Sequence, residues 1–428
     1  MPEATSPPNR LRNILGGSAG NLVEWFDWYV YSAFALYFAP VFFPEGDRTA
    51  ELMNAAIVFA VGFLMRPIGA WVMGIYSDRK GRKAGLTLSV TLMCLGSLLI
   101  AATPTYATIG PFAPALLVLA RMMQGLSVGG EYGASAVYLS EAAGRKRRGF
   151  YSSFQYVTLI SGQLLALAVL LALQFSLSEA ELEAWGWRIA FAIGAVLAIV
   201  VFYIRRRLAE TESFEKARAA GAPRSSSVSL FRDHPKEAFL VMALTAGGTL
   251  AFYAYTTYMQ KFLVNTSGFG RQTASQVMTA ALFVFMCLQP LSGALSDRIG
   301  RKPVMATFGI LGVLATVPIF TALETVQSPI AAFGLIMPAL VIVTGYTSIN
   351  AVVKAELFPT HIRALGVALP YALANTIFGG TAEYVALWFK DHGIERAFYW
   401  YVTGMIGLSL IVYLRMRDTK LHSRIEED

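Results

Sequence analysis

The chain has 428 residues, of which 55% are hydrophobic and 14% are charged, and its mean hydropathy is +0.52. Soluble domains carry about 25% charged residues, so this composition excludes an ordinary soluble enzyme. The net charge of +8 would suggest nucleic-acid binding in a soluble protein, whereas in a membrane protein it is typical of basic cytoplasmic loops.

Apolar stretches long enough to cross a bilayer, which takes about 20 residues, recur along the whole chain. Six predicted spans lie at 13–42, 51–76, 84–103, 112–140, 150–175 and 186–204. Six more lie at 237–263, 273–296, 303–323, 330–353, 364–388 and 396–414. The pattern predicts an all-α integral membrane protein with twelve transmembrane helices in two pseudo-symmetric six-helix bundles.

The basic residues are distributed unevenly between the two sides of the predicted membrane. If the N-terminus (1–12) is cytoplasmic, most of the 35 lysines and arginines fall in inner loops, in the linker 205–236 and in the tail 415–428. Cytoplasmic loops of membrane proteins carry such an excess. The charge pattern therefore predicts that both termini are cytoplasmic and that the bundles occupy 13–204 and 237–414. No cleavable leader is expected, because the polar start runs into the first span without a small-residue cleavage site.

Two motifs occur once in each half of the chain. The segment Gly74–Lys83, GIYSDRKGRK, recurs as Gly293–Lys302, GALSDRIGRK. A glutamate followed seven residues later by an arginine also recurs, after the fourth and the tenth predicted spans. Both repeats fall at inner ends of spans, as two parallel six-helix units require.

The repeated charges are candidates for a latch on the cytoplasmic side. A carboxylate there can accept hydrogen bonds from the N-terminus of a helix in the opposite half, and an arginine can pair with a facing acid. The alternative is that the positive charges only orient the protein in the membrane. The predicted latch residues are Asp78, Arg82, Asp297, Arg301, Glu141, Arg148, Glu356 and Arg363.

The motifs also carry a family resemblance. The Gly-x-x-x-Asp-Arg-x-Gly-Arg-Lys loops and Arg121-x-x-Gln124-Gly125 in the fourth predicted span resemble signatures of the major facilitator superfamily of secondary transporters. Three further segments resemble its metabolite:proton symporter branch: Gly20–Tyr29, Phe63–Gly69 and Gly125–Gly133. Three others are similar to the 2-oxoglutarate carriers of that branch: Ser153–Ile160, Tyr258–Lys261 and Ala382–Leu387. The resemblance implies proton-driven uptake of 2-oxoglutarate across a bacterial inner membrane.

Two arginines inside predicted spans are candidate substrate ligands. An ionised group near the bilayer centre costs at least about 2.5 kcal/mol, so Arg66 in the second span and Arg121 in the fourth should face the bundle interior. A guanidinium binds a carboxylate in two-pronged fashion, and two of them suit a substrate with two carboxylates. The alternative is that both arginines only neutralise acids of the same half.

Coupling to protons needs a carboxyl group that loses and regains a proton during the cycle. Glu24 and Asp27 fall on one stripe of the first span, and Glu131 follows Arg121 in the fourth. The sequence does not rank these three acids, and a permanent ion pair between the first and fourth spans is the alternative.

Polar residues at helical spacing predict the uncharged part of the site, although such stripes often only bond neighbouring helices. The predicted lining comprises Tyr31, Gln124, Gln155, Tyr253 and Tyr371. Lys354 is expected at the inner membrane edge, with its amine reaching water.

The sequence thus predicts a proton-coupled symporter of a small dicarboxylate that works by alternating access. Alternatives are the same scaffold carrying citrate, a monocarboxylate, proline or betaine, or a transporter-like nutrient sensor. An enzyme is not expected, because the spans offer no nucleophile with a base and an orienting group. Two cysteines and four scattered histidines give no metal-ligand spacing, and no cofactor is expected. The expected partners are the dicarboxylate, protons and the lipid bilayer, with no nucleic acid, for a protein that functions as a monomer.

Overall fold

The computed structural model describes residues 7–44, 46–80, 82–129, 132–141, 144–206, 227–359 and 362–425. The N-terminal half contains α1 (Pro7–Phe42), α2 (Arg48–Lys80), α3 (Arg82–Ala102), α4 (Phe112–Gly129), α5 (Tyr132–Glu141), α6 (Arg148–Ser176) and α7 (Trp187–Arg206). Helix α8 (Ser227–Asp233) precedes the second set of spans. That set contains α9 (Pro235–Tyr255), α10 (Met259–Asn265), α11 (Arg271–Ile299), α12 (Arg301–Glu324), α13 (Pro329–Thr347), α14 (Asn350–Leu357), α15 (Arg363–Ala374), α16 (Ala382–Asp391) and α17 (Arg396–Arg415).

Local sequence signals set several helix ends. Helices α9 and α13 begin with Pro235 and Pro329, and proline suits the first turn because its missing N–H would have no partner there. The Ser328 side chain caps α13 by accepting a hydrogen bond from a backbone N–H. Helix α11 ends at Gly300, whose φ of +103° is open to glycine without steric cost, and α12 starts directly after it.

In the part of the chain that the structure describes, three predicted spans are not continuous α-helices. The seventh is interrupted at 256–258, the tenth at 348–349, and the eleventh contains the π-helical segment Asn375–Gly379. At the first break, the Thr256 hydroxyl donates a hydrogen bond to the carbonyl of Phe252 at 2.6 Å, a bond that competes with regular helix geometry. Irregular backbone at membrane depth is tolerated where protein covers it.

Within the described residues, ten helical segments are long and apolar enough to cross a bilayer. The first and eleventh predicted spans are the two others of the twelve-helix fold. Helix α1 has lower hydropathy because it is rich in Trp and Tyr and carries acidic residues, and the eleventh span is divided by its π-helical segment. Large apolar side chains cover the outside of the molecule, such as Ile330 (83% exposed) and Phe112 (73% exposed), as the lipid-facing surface of a membrane protein requires.

The two halves meet along a surface that we call the seam, formed by α6 against α11, by α2 against α15 and α16, and by α5 against α14 and α15. At one end of it, Gly149 of α6 packs against Gly293 of α11. A Cβ on Gly293 would lie 3.0 Å from the Cβ of Ser153, and a Cβ on Gly149 would crowd the Arg301 guanidinium. Glycine at both positions therefore lets the two helix backbones come into contact.

Candidate functional site

Two buried arginines of the N-terminal half share one tryptophan ring. Arg66 of α2 is 3% exposed, and Arg121 of α4 is fully buried. Their guanidinium carbons lie 4.0 and 4.2 Å from the ring centroid of Trp28. A cation is attracted to the face of an indole ring, which offsets part of the cost of burying it. Trp28, on α1, was not among the predicted site residues.

Arg121 lies within the N-terminal half. Its Nη1 donates a hydrogen bond to Gln124 at 2.7 Å, and the Gln124 amide donates to Ser97 at 3.0 Å. The ring of Tyr31 lies 4.5 Å from the Arg121 guanidinium, and the Tyr31 hydroxyl donates to the Ala55 carbonyl at 2.9 Å. Helices α1 to α4 provide all of these contacts.

Arg66 lies where the two halves meet. Its guanidinium carbon is 4.1 Å from the ring centroid of Phe63, and the Phe63 carbonyl accepts a hydrogen bond from Thr376 of the eleventh span at 2.7 Å. The Phe63 ring also contacts the ring of Tyr253 edge to face, with centroids 5.2 Å apart. Among the described residues, Nε and Nη2 of Arg66 have no hydrogen-bond partner, and no carboxylate pairs with this side chain.

The three predicted proton carriers differ in their surroundings. Asp27 of α1 is fully buried, and Ser97 is its neutral polar neighbour. Arg121 interacts with Asp27 electrostatically. Glu24, about one turn earlier, accepts a hydrogen bond from the Ser89 hydroxyl of α3 at 3.1 Å. Glu131 lies outside the described residues.

The other predicted lining residues are buried. Tyr371 of α15 stacks on Tyr132 of α5 with ring centroids 3.9 Å apart, a contact between the two halves. Tyr253 contacts Phe63 across the same seam. Gln155 of α6 is 1% exposed. The seam thus brings Tyr253 and Tyr371 to the side of α2 that carries Arg66.

The prediction that Lys354 lies at the membrane edge with its amine in water is wrong. This side chain is fully buried in α14. Its Nζ lies 3.9 Å from the ring centroid of Tyr371 and donates a hydrogen bond to Asn350 at 2.8 Å. Asn350 and Lys354 both belong to α14, which begins directly after the break at 348–349 and whose residues from Asn350 to Glu356 are buried.

A buried ion pair, also absent from the predicted site, joins the seventh and eleventh spans. Lys261 of α10 is fully buried, and its Nζ lies 2.9 Å from an oxygen of Glu383 in α16. The same amine donates a hydrogen bond to Ser32 of α1 at 2.7 Å. Because Ser32 belongs to the N-terminal half, this pair also connects the two halves.

Asp297 connects the halves at the end of the seam where α6 begins. Its two carboxylate oxygens accept hydrogen bonds from the backbone N–H groups of Gly149, at 2.8 Å, and Phe150, at 2.9 Å. Arg301, one turn further on, also donates to Asp297 at 2.8 Å. A carboxylate at a helix N-terminus is stabilised by the unpaired N–H groups and by the helix dipole.

Glu356 is buried beside this contact. It lies 3.6 Å from the Arg301 guanidinium and 3.9 Å from that of Arg148, which belongs to the opposite half, and it accepts a hydrogen bond from Thr419 at 2.6 Å. Arg363 donates to two backbone carbonyls of its own half. The predicted latch residues whose side chains lie outside the described part of the structure are Asp78, Arg82 and Glu141.

Contacts between the halves exist at both ends of the seam, so the interior is closed. At the end opposite Asp297, Arg271 of α11 pairs with Glu183, and Asn265 donates to Thr49 at 3.3 Å. A small cavity of about 10 Å³ between the halves, lined in part by Gln163, has room for about one water molecule. Within the described residues, no group of three or more His, Cys, Asp or Glu side chains is placed to hold a metal ion.

Two six-helix halves around a buried polar seam define the chain as a membrane transporter of the major facilitator type. A family model described as Major Facilitator Superfamily matches residues 19–382, and the chain belongs to this family. A crystal structure of a D-xylose-proton symporter has the same fold, with a TM-score of 0.78 at 20% identity over 96% of this chain and 98% of that one. The fold and the family are those of transporters and not of enzymes.

Two curated relatives match almost the whole chain. The chain is 58% identical to the alpha-ketoglutarate permease of Escherichia coli (strain K12), over 95% of this chain and 94% of the relative. It is 34% identical to a citrate-proton symporter of Klebsiella pneumoniae, over 97% of this chain and 94% of the relative. The predicted family and the predicted multi-pass membrane protein are confirmed.

Proposed function

We propose that this protein imports 2-oxoglutarate together with protons across a bacterial inner membrane by alternating access, with both termini in the cytoplasm. The 58% identity to a protein named alpha-ketoglutarate permease supports the substrate, and the proton symporters among its relatives support the coupling. A chain of this fold acts as a monomer in our proposal, with halves at 13–204 and 237–414 joined by the linker 205–236.

One observation carries the proposal: Arg66 is a buried cation at the seam with no carboxylate partner among the described residues. A buried charge without a counter-ion is costly, and an anionic substrate that reaches the seam would remove that cost. The planar guanidinium can hold one substrate carboxylate through two hydrogen bonds. Tyr253 and Tyr371 can supply hydroxyl groups to the same ligand, and Gln155 is buried on α6.

We assign Arg121 to proton coupling rather than to the substrate, since its contacts lie inside one half. Asp27, which is fully buried and interacts with Arg121, is the best-supported proton carrier. When Asp27 is ionised, Arg121 is its counter-ion. When it is protonated, Arg121 keeps its bond to Gln124 and its contacts with aromatic rings. Glu24 and Glu131 stay as candidates for a second proton.

The inner latch closes the cytoplasmic side while the site opens outward. Asp297 holds the first turn of α6 from the opposite half, and Arg301 and Glu356 support it from the same half. Opening inward would break these bonds. The sequence repeat predicts that Asp78, Arg82 and the motif beginning at Glu141 provide the equivalent contact at the other inner corner.

The transport stoichiometry follows from charge. Moving a dianion into a cell against an inside-negative potential of 100 mV costs about 4.6 kcal/mol, at about 2.3 kcal/mol for each charge. Two protons carried with it cancel this electrical cost, and the pH gradient then drives accumulation. We therefore expect at least two protons for each dianion of 2-oxoglutarate.

The direct experiment is uptake of labelled 2-oxoglutarate by proteoliposomes with an imposed pH gradient, acidic outside. We expect accumulation above equilibrium that collapses when a protonophore dissipates the gradient. Unlabelled glutarate should compete, whereas proline should not. The control is Arg66→Ala, which should insert normally and show no uptake above empty liposomes. Uptake that proline or citrate blocks more strongly than glutarate would contradict the proposed substrate.

A further inference from the structure

Lys354 is a second buried cation that has no carboxylate partner among the described residues. It is fully buried, and its partners are the Tyr371 ring, 3.9 Å away, the Tyr132 ring, 5.7 Å away, and the side-chain oxygen of Asn350, 2.8 Å away. No ion pair with an acid forms among the described residues. A neutral amide oxygen and two ring faces compensate a buried ammonium only in part. The fold therefore keeps a costly charge at a defined place.

That place is the seam between the halves. The side-chain oxygen of Asn350 accepts hydrogen bonds from both Lys354 and the hydroxyl of Tyr132, at 2.8 and 3.1 Å. Tyr132 belongs to the N-terminal half, and its ring stacks on Tyr371 of the C-terminal half. The ammonium is thus held by groups from both halves, where a substrate would pass during alternating access.

Lys354 also lies at a depth similar to that of Arg66. The second and eleventh spans run in opposite directions and are joined by the bond from Thr376 to the Phe63 carbonyl. Arg66 lies three residues beyond Phe63, which is about 4.5 Å along its helix. Tyr371 lies five residues before Thr376, which is about 7.5 Å along the other helix. Because the two helices are antiparallel, both displacements point toward the same side of the membrane. The two levels differ by about 3 Å, and Tyr371 is the residue whose ring contacts the Lys354 amine.

We propose that Lys354 is the carboxylate site of the C-terminal half, so that a dicarboxylate bridges the halves with one carboxylate on Arg66 and the other on Lys354. This inference rests on the proposed function and names the residues that bind the two carboxylates of its substrate. A ligand that bridges the halves makes both ionic contacts only when the halves are close together. Binding of the ligand therefore stabilises the state in which the halves are close.

The other buried cations are less suited to this role. Lys261 already has a carboxylate 2.9 Å away, in Glu383, and a hydroxyl 2.7 Å away, in Ser32. Arg121 is enclosed by α1 to α4, and its bond to Gln124 lies inside the N-terminal half. Lys354 is the cation of the described C-terminal half that combines full burial, a position on the seam and the absence of an acid partner.

The test compares two ligands on purified protein in lipid nanodiscs. Binding of 2-oxoglutarate, with two carboxylates, and of 2-oxobutanoate, with one, is measured for the wild type and for Lys354→Met. Loss of one charge-assisted contact should weaken binding of 2-oxoglutarate by about 10- to 100-fold and leave 2-oxobutanoate nearly unchanged. Lys354→Arg, which keeps the positive charge, should retain a preference for the dicarboxylate.

A matched control uses the two fully buried lysines of the same half. Because Lys354 has no acid partner in the part of the chain that the structure describes, Lys354→Met should raise the melting temperature of the ligand-free protein. Lys261→Met leaves the buried Glu383 carboxylate without its ion-pair partner and should lower the melting temperature. Addition of 2-oxoglutarate should raise the melting temperature of the wild type more than that of Lys354→Met.

Three results would overturn the proposal. The first is an equal loss of affinity for both ligands in Lys354→Met. The second is unchanged affinity of Lys354→Met for 2-oxoglutarate. If this variant binds normally but loses accumulation driven by a pH gradient, the amine is a proton carrier and not a substrate ligand. The third is failure of Lys354→Met to fold, which would show that the amine stabilises the ligand-free protein. Failure of the proposed function would appear in the wild type, as absence of 2-oxoglutarate binding, whereas failure of the Lys354 assignment would appear only in the variant.

Discussion

Asp297→Asn should release the end of the seam where α6 begins, which is the cytoplasmic end in the orientation that we propose. The carboxylate accepts backbone N–H groups from Gly149 and Phe150 and a guanidinium from Arg301, all at 2.8 to 2.9 Å. Asparagine keeps one acceptor oxygen and places an N–H donor against one of these groups. At least one charge-assisted bond across the seam is lost, which costs the inward-closed state about 1.5 to 3 kcal/mol. This corresponds to an increase of about 10- to 100-fold in the ratio of inward-open to inward-closed protein.

The assay is alkylation of a cysteine placed at Ser153, which is buried against Gly293 on the seam. The two native cysteines, Cys94 and Cys287, are first replaced by alanine. Reagent reaches position 153 only when α6 and α11 separate at this end. We expect Asp297→Asn to raise the alkylation rate in membranes by about 10- to 100-fold, the change in the ratio of the two states.

Asp418→Asn is the matched control. Asp418 accepts hydrogen bonds from the backbone N–H groups at the start of α12, at 3.1 and 3.4 Å, but this helix belongs to its own half. Its loss should lower thermal stability without changing the alkylation rate. An unchanged rate in Asp297→Asn, or an equal increase in Asp418→Asn, would refute the argument that Asp297 acts across the seam.

Three further predictions concern the interior. Asp27→Asn should keep counterflow exchange of 2-oxoglutarate but lose accumulation driven by a pH gradient, and accumulation at the wild-type level would rule Asp27 out as the proton carrier. Lys261→Met should lower the free energy of unfolding by about 3 to 5 kcal/mol because it leaves a buried acid unpaired, and adding Glu383→Leu should restore most of this loss. Thermal unfolding measures both variants. A double variant as unstable as the single one would contradict the pairing. Arg66→Lys should recover little of the uptake lost in Arg66→Ala, because the two-pronged geometry is lost; uptake close to wild type would contradict a bidentate contact.

The spans could be predicted from the sequence because about 20 apolar residues in a row have few other structural solutions. The breaks in the seventh and tenth spans could not. Residues 256–258 and 348–349 contain neither proline nor glycine, so no strong helix-breaking residue marks either place in the sequence. The orientation of each helix segment in an interrupted span then determines where its side chains point. This is why the predicted exposure of Lys354 was wrong.

The charged residues of the site could be selected from the sequence, but their partners could not. A charged side chain inside a span must face protein, so the sequence alone identifies Arg66 and Arg121 as candidate site residues. Which of the two faces the seam depends on how α1, α2 and α4 pack, and the ring of Trp28 contacts both. The ion pair of Lys261 with Glu383 joins residues 122 positions apart, and no local spacing indicates it. Their roles in substrate binding and proton transfer stay predictions.

The most direct test of the account measures two fluxes in the same proteoliposomes, labelled 2-oxoglutarate and protons, at a controlled membrane potential. We predict that at least two protons enter with each dianion, so that substrate uptake carries no net negative charge inward. Uptake of 2-oxoglutarate without proton entry, or with a net inward movement of negative charge, would contradict proton-coupled dicarboxylate import.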